Sequence, residues 1–420
     1  MAERAIDAAP RRPMSRRRRR RLTLTLSVAA VLAAAGAYLA VTLTAPLPAA
    51  TVELSAPSVA VPAPAEPDWP EGIPAAAGVV GHAGALVGPG GDQPLPIASI
   101  TKLITALVVL DAMPLQPGED GPTFTMGEQD MQNLADVLSV GGSYADIEPG
   151  EQLTQLQLLQ GMLVPSADNF ALSLAQRAFG DNESYVKAAR AWLDQRGLTD
   201  VSIVEPTGLE ETDAAFASDL VQLGVLALEN PVIAETVRMR AVTLPVAGTL
   251  ASTNQLLDEP GVIGIKTGHT DVAGYCFVLA EQIEVAGTTQ TVVAAVLDAP
   301  TITARFTLTR PIVASMPGTF AAVPYVAAGD RVGTISTAWG AQSALLAGSA
   351  ASGLVWNGES VAADSSVDAR PATAPAGTAV GTLSFTYGQE RTQVPVVTGS
   401  DVAGPDAWWR LTHPLALLGG

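Results

Sequence analysis

Ser99 and Lys102 stand three residues apart at the head of an apolar run that continues through Leu103, Ile104, Leu107 and Val108. A serine hydroxyl becomes a nucleophile when a base takes its proton. A lysine amine can be that base when burial, the positive end of a helix or a second cation favours its neutral form. Two later motifs supply related groups. Ser166-Ala167-Asp168-Asn169 offers a second hydroxyl, a carboxyl and an amide, and Lys266-Thr267-Gly268 a second ammonium beside a hydroxyl. Each motif alone has a plainer explanation: Ser99 and Ser166 as helix caps, Lys102 as a solvated charge, Lys266-Thr267-Gly268 as a polar turn. All three in this order predict acyl transfer through a serine ester, with Ser99 as nucleophile, Lys102 as base and Lys266 as second cation.

The elements that must position these groups are also legible. Ile100, Leu103, Ile104, Leu107 and Val108 recur at helical spacing and predict a buried helix to about Asp111. Ser99 would lie in its first turn, with Lys102 on the same face. A helical pattern over 157–164 runs into Pro165, and another begins at Phe170, so Ser166 falls on the turn between two helices. Residues 261–265 and 274–280 predict a hairpin that places Lys266-Thr267-Gly268 at a sheet edge beside an open groove. The ammonium and hydroxyl suit a substrate carboxylate, and the missing side chain of Gly268 lets the strand come close to a substrate backbone.

Residues from about 72 to 300 resemble the serine D-Ala-D-Ala carboxypeptidases, the low-molecular-mass penicillin-binding proteins. The resemblance rests on the segment 96–111 around Ser99, on 148–154 and 158–166 leading to Ser166, on Pro206-Thr207-Gly208-Leu209, on 253–257, and on 261–276 around Lys266. It implies an α+β fold of the penicillin-binding and β-lactamase type, an antiparallel sheet flanked by helices. It also implies removal of the terminal D-Ala of a peptidoglycan stem peptide ending in D-Ala-D-Ala. Ser99, Lys102 and Ser166 would be catalytic. Lys266, Thr267, Gly268, His269, Asp168 and Asn169 would meet the substrate, with the N–H groups of Ser99 and His269 as oxyanion hole. β-lactams would acylate Ser99 as inhibitors, and no metal or other cofactor is needed. The family carries asparagine two residues after the second serine, whereas here Asp168 stands there and Asn169 follows. An ionised aspartate cannot donate a hydrogen bond. Either Asn169 swings in through a shifted turn or Asp168 pairs with Lys102 or Lys266.

Composition agrees with an enzyme facing the cell wall. A single cysteine, Cys276, excludes an internal disulfide and a cysteine metal cluster, and three scattered histidines argue against a zinc hydrolase. Nine of the 23 basic residues lie in residues 1–21 with two of the 41 acidic ones, so the rest of the chain carries a net charge of −25. That body would repel nucleic acid. Arg16 to Arg21 precede an uncharged run of 22 residues, Leu22 to Leu43. At about 1.5 Å per residue the run crosses a hydrocarbon core of roughly 30 Å, and the arginines place the N-terminus inside.

The expected organisation is therefore a basic cytoplasmic tail over 1–21, a transmembrane helix over 22–43, a stiff Pro/Ala-rich linker over 44–71, a catalytic domain over 72–311 and a small all-β domain over 312–420. The protein would be single-pass in the cell membrane with its catalytic domain outside, or secreted if the N-terminal segment is cleaved. Two rival functions remain at this point. A serine β-lactamase shares the trio, but no glutamate with an asparagine four residues on stands between the second and third motifs. A catalytically weak wall-binding protein is favoured only by Asp168.

Overall fold

The computed structural model describes residues 15–90, 93–388 and 390–418. The chain forms two compact units, one of residues 61–323 with 354–360, the other of residues up to 60 with 324–353 and 361–420. The basic tail expected over 1–21 lies, up to Met14, outside the described residues.

The larger unit is built on a five-stranded antiparallel sheet in the order Val262–Thr270, Gly274–Val285, Thr288–Ala299, Ala75–Val79, Leu86–Val87. Its middle strands are continuous apolar runs because both faces are covered. Phe277, Leu279, Val292, Ala294 and Val296 join one core with Phe306, Ile312 and Val313 of the helix Ile302–Ser315. Val278, Ala280, Val293, Ala295 and Leu297 join the other, with the helices Thr101–Ala112 and Ala217–Glu229. Every residue from Thr101 to Leu110 is buried, so this helix is the central rod of an α+β core rather than an amphipathic surface helix.

One capping box precedes the second motif. Thr154 and Gln157 exchange side-chain and backbone hydrogen bonds at the start of the helix Gln155–Leu163. That helix ends just before Pro165, and the next, Asp168–Phe179, begins at the N-cap Ala167. Ser166 is thus not the cap.

The smaller unit carries a six-stranded antiparallel sheet, ordered Thr51–Leu54, Arg331–Ser336, Gln342–Ala347, Glu390–Thr398, Ala379–Tyr387, Ala362–Val367. The same unit contains the helix Arg16–Thr44, 29 residues long and apolar enough to cross a membrane. The short helix Ala407–Thr412 lies against it, with Arg410 Nη1 donating to the Ala45 carbonyl at 2.9 Å.

Two boundary expectations change. The stretch 44–71 is not a free spacer: Thr51–Leu54 pairs with Arg331–Ser336 in full register, and Ala65 and Asp68 hydrogen-bond Gly318 and Ser315 of the larger unit. Nor does the larger unit end at Pro311, which sits inside the helix Ile302–Ser315. An internal proline costs about 3 kcal/mol. Burying Phe306, Ile312 and Val313 returns roughly 1.5–3 kcal/mol each, so packing holds the helix together across it.

Candidate active site

Ser99 lies one turn earlier than the helical spacing predicts. It occupies the 3-10 turn Ala98–Ile100 that feeds the helix Thr101–Ala112. Ala98 before it has φ 46°, an uncommon left-handed conformation for a residue with a Cβ. Ile97, Ala98 and Ile100 are buried, and Ser99 alone in this turn is partly exposed. Lys102 is fully buried. Its Nζ donates to Ser99 Oγ at 2.7 Å and to the Thr207 carbonyl at 2.9 Å, and it is ion-paired with the Asp168 carboxyl.

The second serine faces the first pair from the inter-helix turn. Ser166 has φ 72°, so backbone strain is stored at this position too. Its Oγ accepts from Lys266 Nζ at 2.9 Å. Lys266 also donates to its neighbour's carbonyl, Thr267 O, at 3.0 Å. Burial pushes the Lys266 ammonium well below the usual lysine range, and Lys102 and Arg305 push the same way against Asp168. The Asp168 carboxyl is raised by burial, although the Lys102 charge beside it pulls down.

The strand Val262–Thr270 closes over the nucleophile turn. A Cβ on Gly268 would sit 2.8 Å from the Ile97 carbonyl oxygen and 3.2 Å from Ser99 N, so only glycine allows this approach. Thr267 Oγ1 donates to Thr253 Oγ1 at 2.7 Å. His269 is exposed and stacks on Tyr275 with ring centroids 4.0 Å apart.

The structure therefore brings Ser99, Lys102, Asp168, Ser166, Lys266, Thr267 and Gly268 to one place. Asn169 is not among them. Its amide bonds both ways to Ala145, accepting from N at 3.1 Å and donating to O at 3.0 Å. The shifted turn considered from the sequence is absent, and Asn169 holds the 143–147 loop instead of meeting substrate. Asp168 takes the other alternative and pairs with Lys102. Three contributors were not picked out as site residues. Thr253 carries no distinctive signal beyond its place in the 253–257 signature. Thr207 acts through a carbonyl that any residue has, and its trace was the Pro206-Thr207-Gly208-Leu209 segment. Arg305 is buried and reaches the Gly268 carbonyl at 3.4 Å. Cys276 is buried behind the strand with its thiol pushed up to about 12 by burial, which leaves it inert.

This fold and this pairing of two serines with two buried lysines define a serine-hydrolase class of penicillin-binding type. A family model described as D-alanyl-D-alanine carboxypeptidase matches residues 85–301, over half of the chain, and the chain belongs to that family. Among similar curated proteins, DacF of Bacillus subtilis, a D-alanyl-D-alanine carboxypeptidase, is 28% identical over 200 residues, 44% of this chain and 47% of DacF. The D-alanyl-D-alanine endopeptidase of Pseudomonas aeruginosa is 32% identical over 202 residues, 46% of this chain and 61% of that protein. The chain thus matches about half to three-fifths of the length of these relatives. Among solved structures, the Streptomyces K15 DD-transpeptidase superposes with a TM-score of 0.54 at 24% identity, over 60% of this chain and 98% of that one. Penicillin binding protein 5 from Haemophilus influenzae gives 0.57 at 20% identity, over 81% and 100%. At these identities the likeness establishes the fold.

Proposed function

We propose that this protein is a D-alanyl-D-alanine carboxypeptidase that removes the terminal D-Ala of peptidoglycan stem peptides through an ester on Ser99. The observation that carries the reading is the 2.7 Å contact between Ser99 Oγ and the buried Lys102 Nζ, at the one exposed residue of a strained turn. Ser99 Oγ attacks the carbonyl carbon of the penultimate D-Ala, and its proton passes to the Lys102 amine. The N–H groups of Ser99 and His269 take the developing oxyanion. As the C–N bond breaks, the departing amine collects a proton from Ser166, which Lys266 replaces. Water then adds to the ester and gives its proton to the Lys266 amine, and as the C–O bond breaks the Lys102 ammonium returns its proton to Ser99. Lys266 and Thr267 hold the terminal carboxylate of the substrate. β-lactams present the same amide and carboxylate, so they acylate Ser99 and leave slowly. Residues 61–323 form the body of the catalytic unit in this reading. The helix Arg16–Thr44 is retained as a single-pass anchor with that unit outside the membrane, supported by the arginines at its head and the uncharged run that follows.

The test is intact-protein mass after incubation with a penicillin, followed by peptide mapping. One adduct on Ser99 is expected, and Ser99→Ala is expected to abolish labelling while the thermal unfolding curve stays in place. An adduct on Ser166, or labelling that survives Ser99→Ala, refutes the assignment.

A further inference from the structure

Two carboxyl groups, Glu205 and Asp213, lie beneath the site and take no part in the acyl transfer. Glu205 sits in a nest of backbone donors: its carboxylate accepts from Thr207 N at 2.7 Å, from Leu209 N at 2.9 Å and from Gly208 N. Three N–H donors converge on this one side chain. Asp213 is fully buried and accepts a single N–H, Val204 N to Oδ1 at 2.7 Å. Its Oδ2 makes no hydrogen bond, and neither does the buried Thr101 Oγ1. Glu205 and Thr101 are the polar groups that bear on Asp213. Burial, and next the Glu205 charge, disfavour a negative charge on Asp213. One proton on Asp213 removes the repulsion and supplies the missing donor.

The pair is tied to the nucleophile turn at three points. The Asp213 carbonyl accepts from Ile97 N at 2.9 Å. The Pro206 carbonyl accepts from Thr105 Oγ1 at 2.7 Å, and the Thr207 carbonyl from Lys102 Nζ at 2.9 Å. Glu205 draws the N–H groups of residues 207–209 inward, and the carbonyls of Pro206 and Thr207 meet the helix Thr101–Ala112. Gly208, at φ 87°, packs so tightly that a Cβ would overlap the Ala98 carbonyl. The strained Ala98 is thus gripped from below.

We propose that the buried Asp213 carries a proton and that Asp213 and Glu205 act as positioning residues for Lys102, holding the loop whose Thr207 carbonyl orients the amine. This rests on the reading of Lys102 as the base. The charged and titratable groups facing the pair are Lys102 from the helix Thr101–Ala112, Asp168 across it, and Tyr185 from the helix Asn182–Asp194. Arg190 of that last helix is occupied by the Ile203 carbonyl. Burial, and then the Glu205 charge, push Asp213 up to about 8. Loss of its proton near that pH sets two carboxylates against each other and displaces the Thr207 carbonyl.

The test measures penicillin acylation rate and thermal midpoint from pH 5.5 to 9.5 for the full chain and two variants. In the wild type, acylation falls as pH rises through about 8. Asp213→Asn mimics the protonated carboxyl, so it is expected to acylate within about threefold of wild type at pH 7 and to lack the falling limb. Glu205→Gln places an NH2 among three N–H groups and is expected to lose about 10- to 100-fold at every pH. Between the ordinary aspartate range and about 8 the native state holds a proton that the unfolded state has given up. Wild-type stability should therefore fall across that window relative to Asp213→Asn, with a one-proton slope. The inference is overturned if Asp213→Asn keeps the falling limb and the wild-type slope, or if Glu205→Gln acylates normally. If the wild type takes no penicillin on Ser99, the acyl-enzyme reading fails, and the slope still decides whether buried Asp213 carries a proton.

Discussion

The two Ser–Lys pairs of this site have the same composition and opposite surroundings. Lys102 sits against Ser99 with a carboxyl, Asp168, and a carbonyl, Thr207, as its other partners. Lys266 sits against Ser166 with a single carbonyl, and among the described residues no carboxylate lies within ion-pair reach. Burial, joined by the charges of Lys102 and Arg305 and opposed by Asp168, destabilises its ammonium. The difference teaches that a serine partner does not by itself decide how a buried lysine is held; the third group does. The Ser99 pair is a balanced ion cluster, while the Ser166 pair holds a cation ready to give up its proton or to welcome an anion.

The largest effect is expected from removing the unbalanced cation. A substrate carboxylate would supply the partner that Lys266 lacks, and a charge-assisted contact in a dry site is worth about 2–4 kcal/mol. Lys266→Ala should then lower kcat/KM on a peptide with a free C-terminus by roughly 30- to 1,000-fold. A C-terminal amide should already be poor with the wild type. Equal wild-type rates on acid and amide would break the comparison, leaving Lys266 as a proton carrier without a carboxylate to hold.

The same imbalance shows in stability. In the unfolded chain the Lys266 amine keeps its proton up to the ordinary lysine range, while in the folded chain it loses it well below. Between those two values the unfolded state binds one more proton, so stability rises with pH. The stability of the wild type relative to Lys266→Met should rise by about 1.4 kcal/mol per pH unit across that window. Urea denaturation from pH 6 to 9 reads it, and parallel curves for the two proteins would mean that Lys266 stays charged when buried.

Much of this site was legible because it is built from short local runs. Ser99 and Lys102 are placed by one apolar helix, Ser166 by a Pro165-ended turn, and Lys266 by a hairpin edge, each visible as periodicity or punctuation. The central strands were legible for a similar reason: 274–280 is apolar without a break. What stayed hidden is non-local or backbone in nature. Thr207 contributes a carbonyl, which leaves no mark in a sequence. Glu205 and Asp213 meet only because a loop folds back beneath a helix that starts 104 residues before Glu205. The proline-rich stretch misled because composition alone predicts stiffness, while Thr51–Leu54 was free to pair with a strand nearly 280 residues away.

The smallest effect is expected at the departure in the second motif. Asp168 and Asn169 are neighbours and both buried, yet one faces Lys102 and the other the Ala145 backbone. An ionised Asp168 puts a negative charge beside the nucleophile pair and offers no donor to a substrate. Burial raises Asp168 above the ordinary aspartate range, so that charge is already disfavoured. Asp168→Asn removes the charge and restores an amide donor. It should raise kcat/KM on a D-Ala-D-Ala peptide by about two- to tenfold. Asn169→Ala should behave differently. It breaks two hydrogen bonds to the 143–147 loop and leaves Ala145 N and O unpaired, at a stability cost of about 1–3 kcal/mol. Acylation by the folded fraction should change little. Measuring both variants across pH, with stability followed alongside, separates a charge effect from a packing one. A loss of activity in Asp168→Asn would mean that the carboxylate is part of the working base, and that the Ser99 pair is balanced by design rather than hindered.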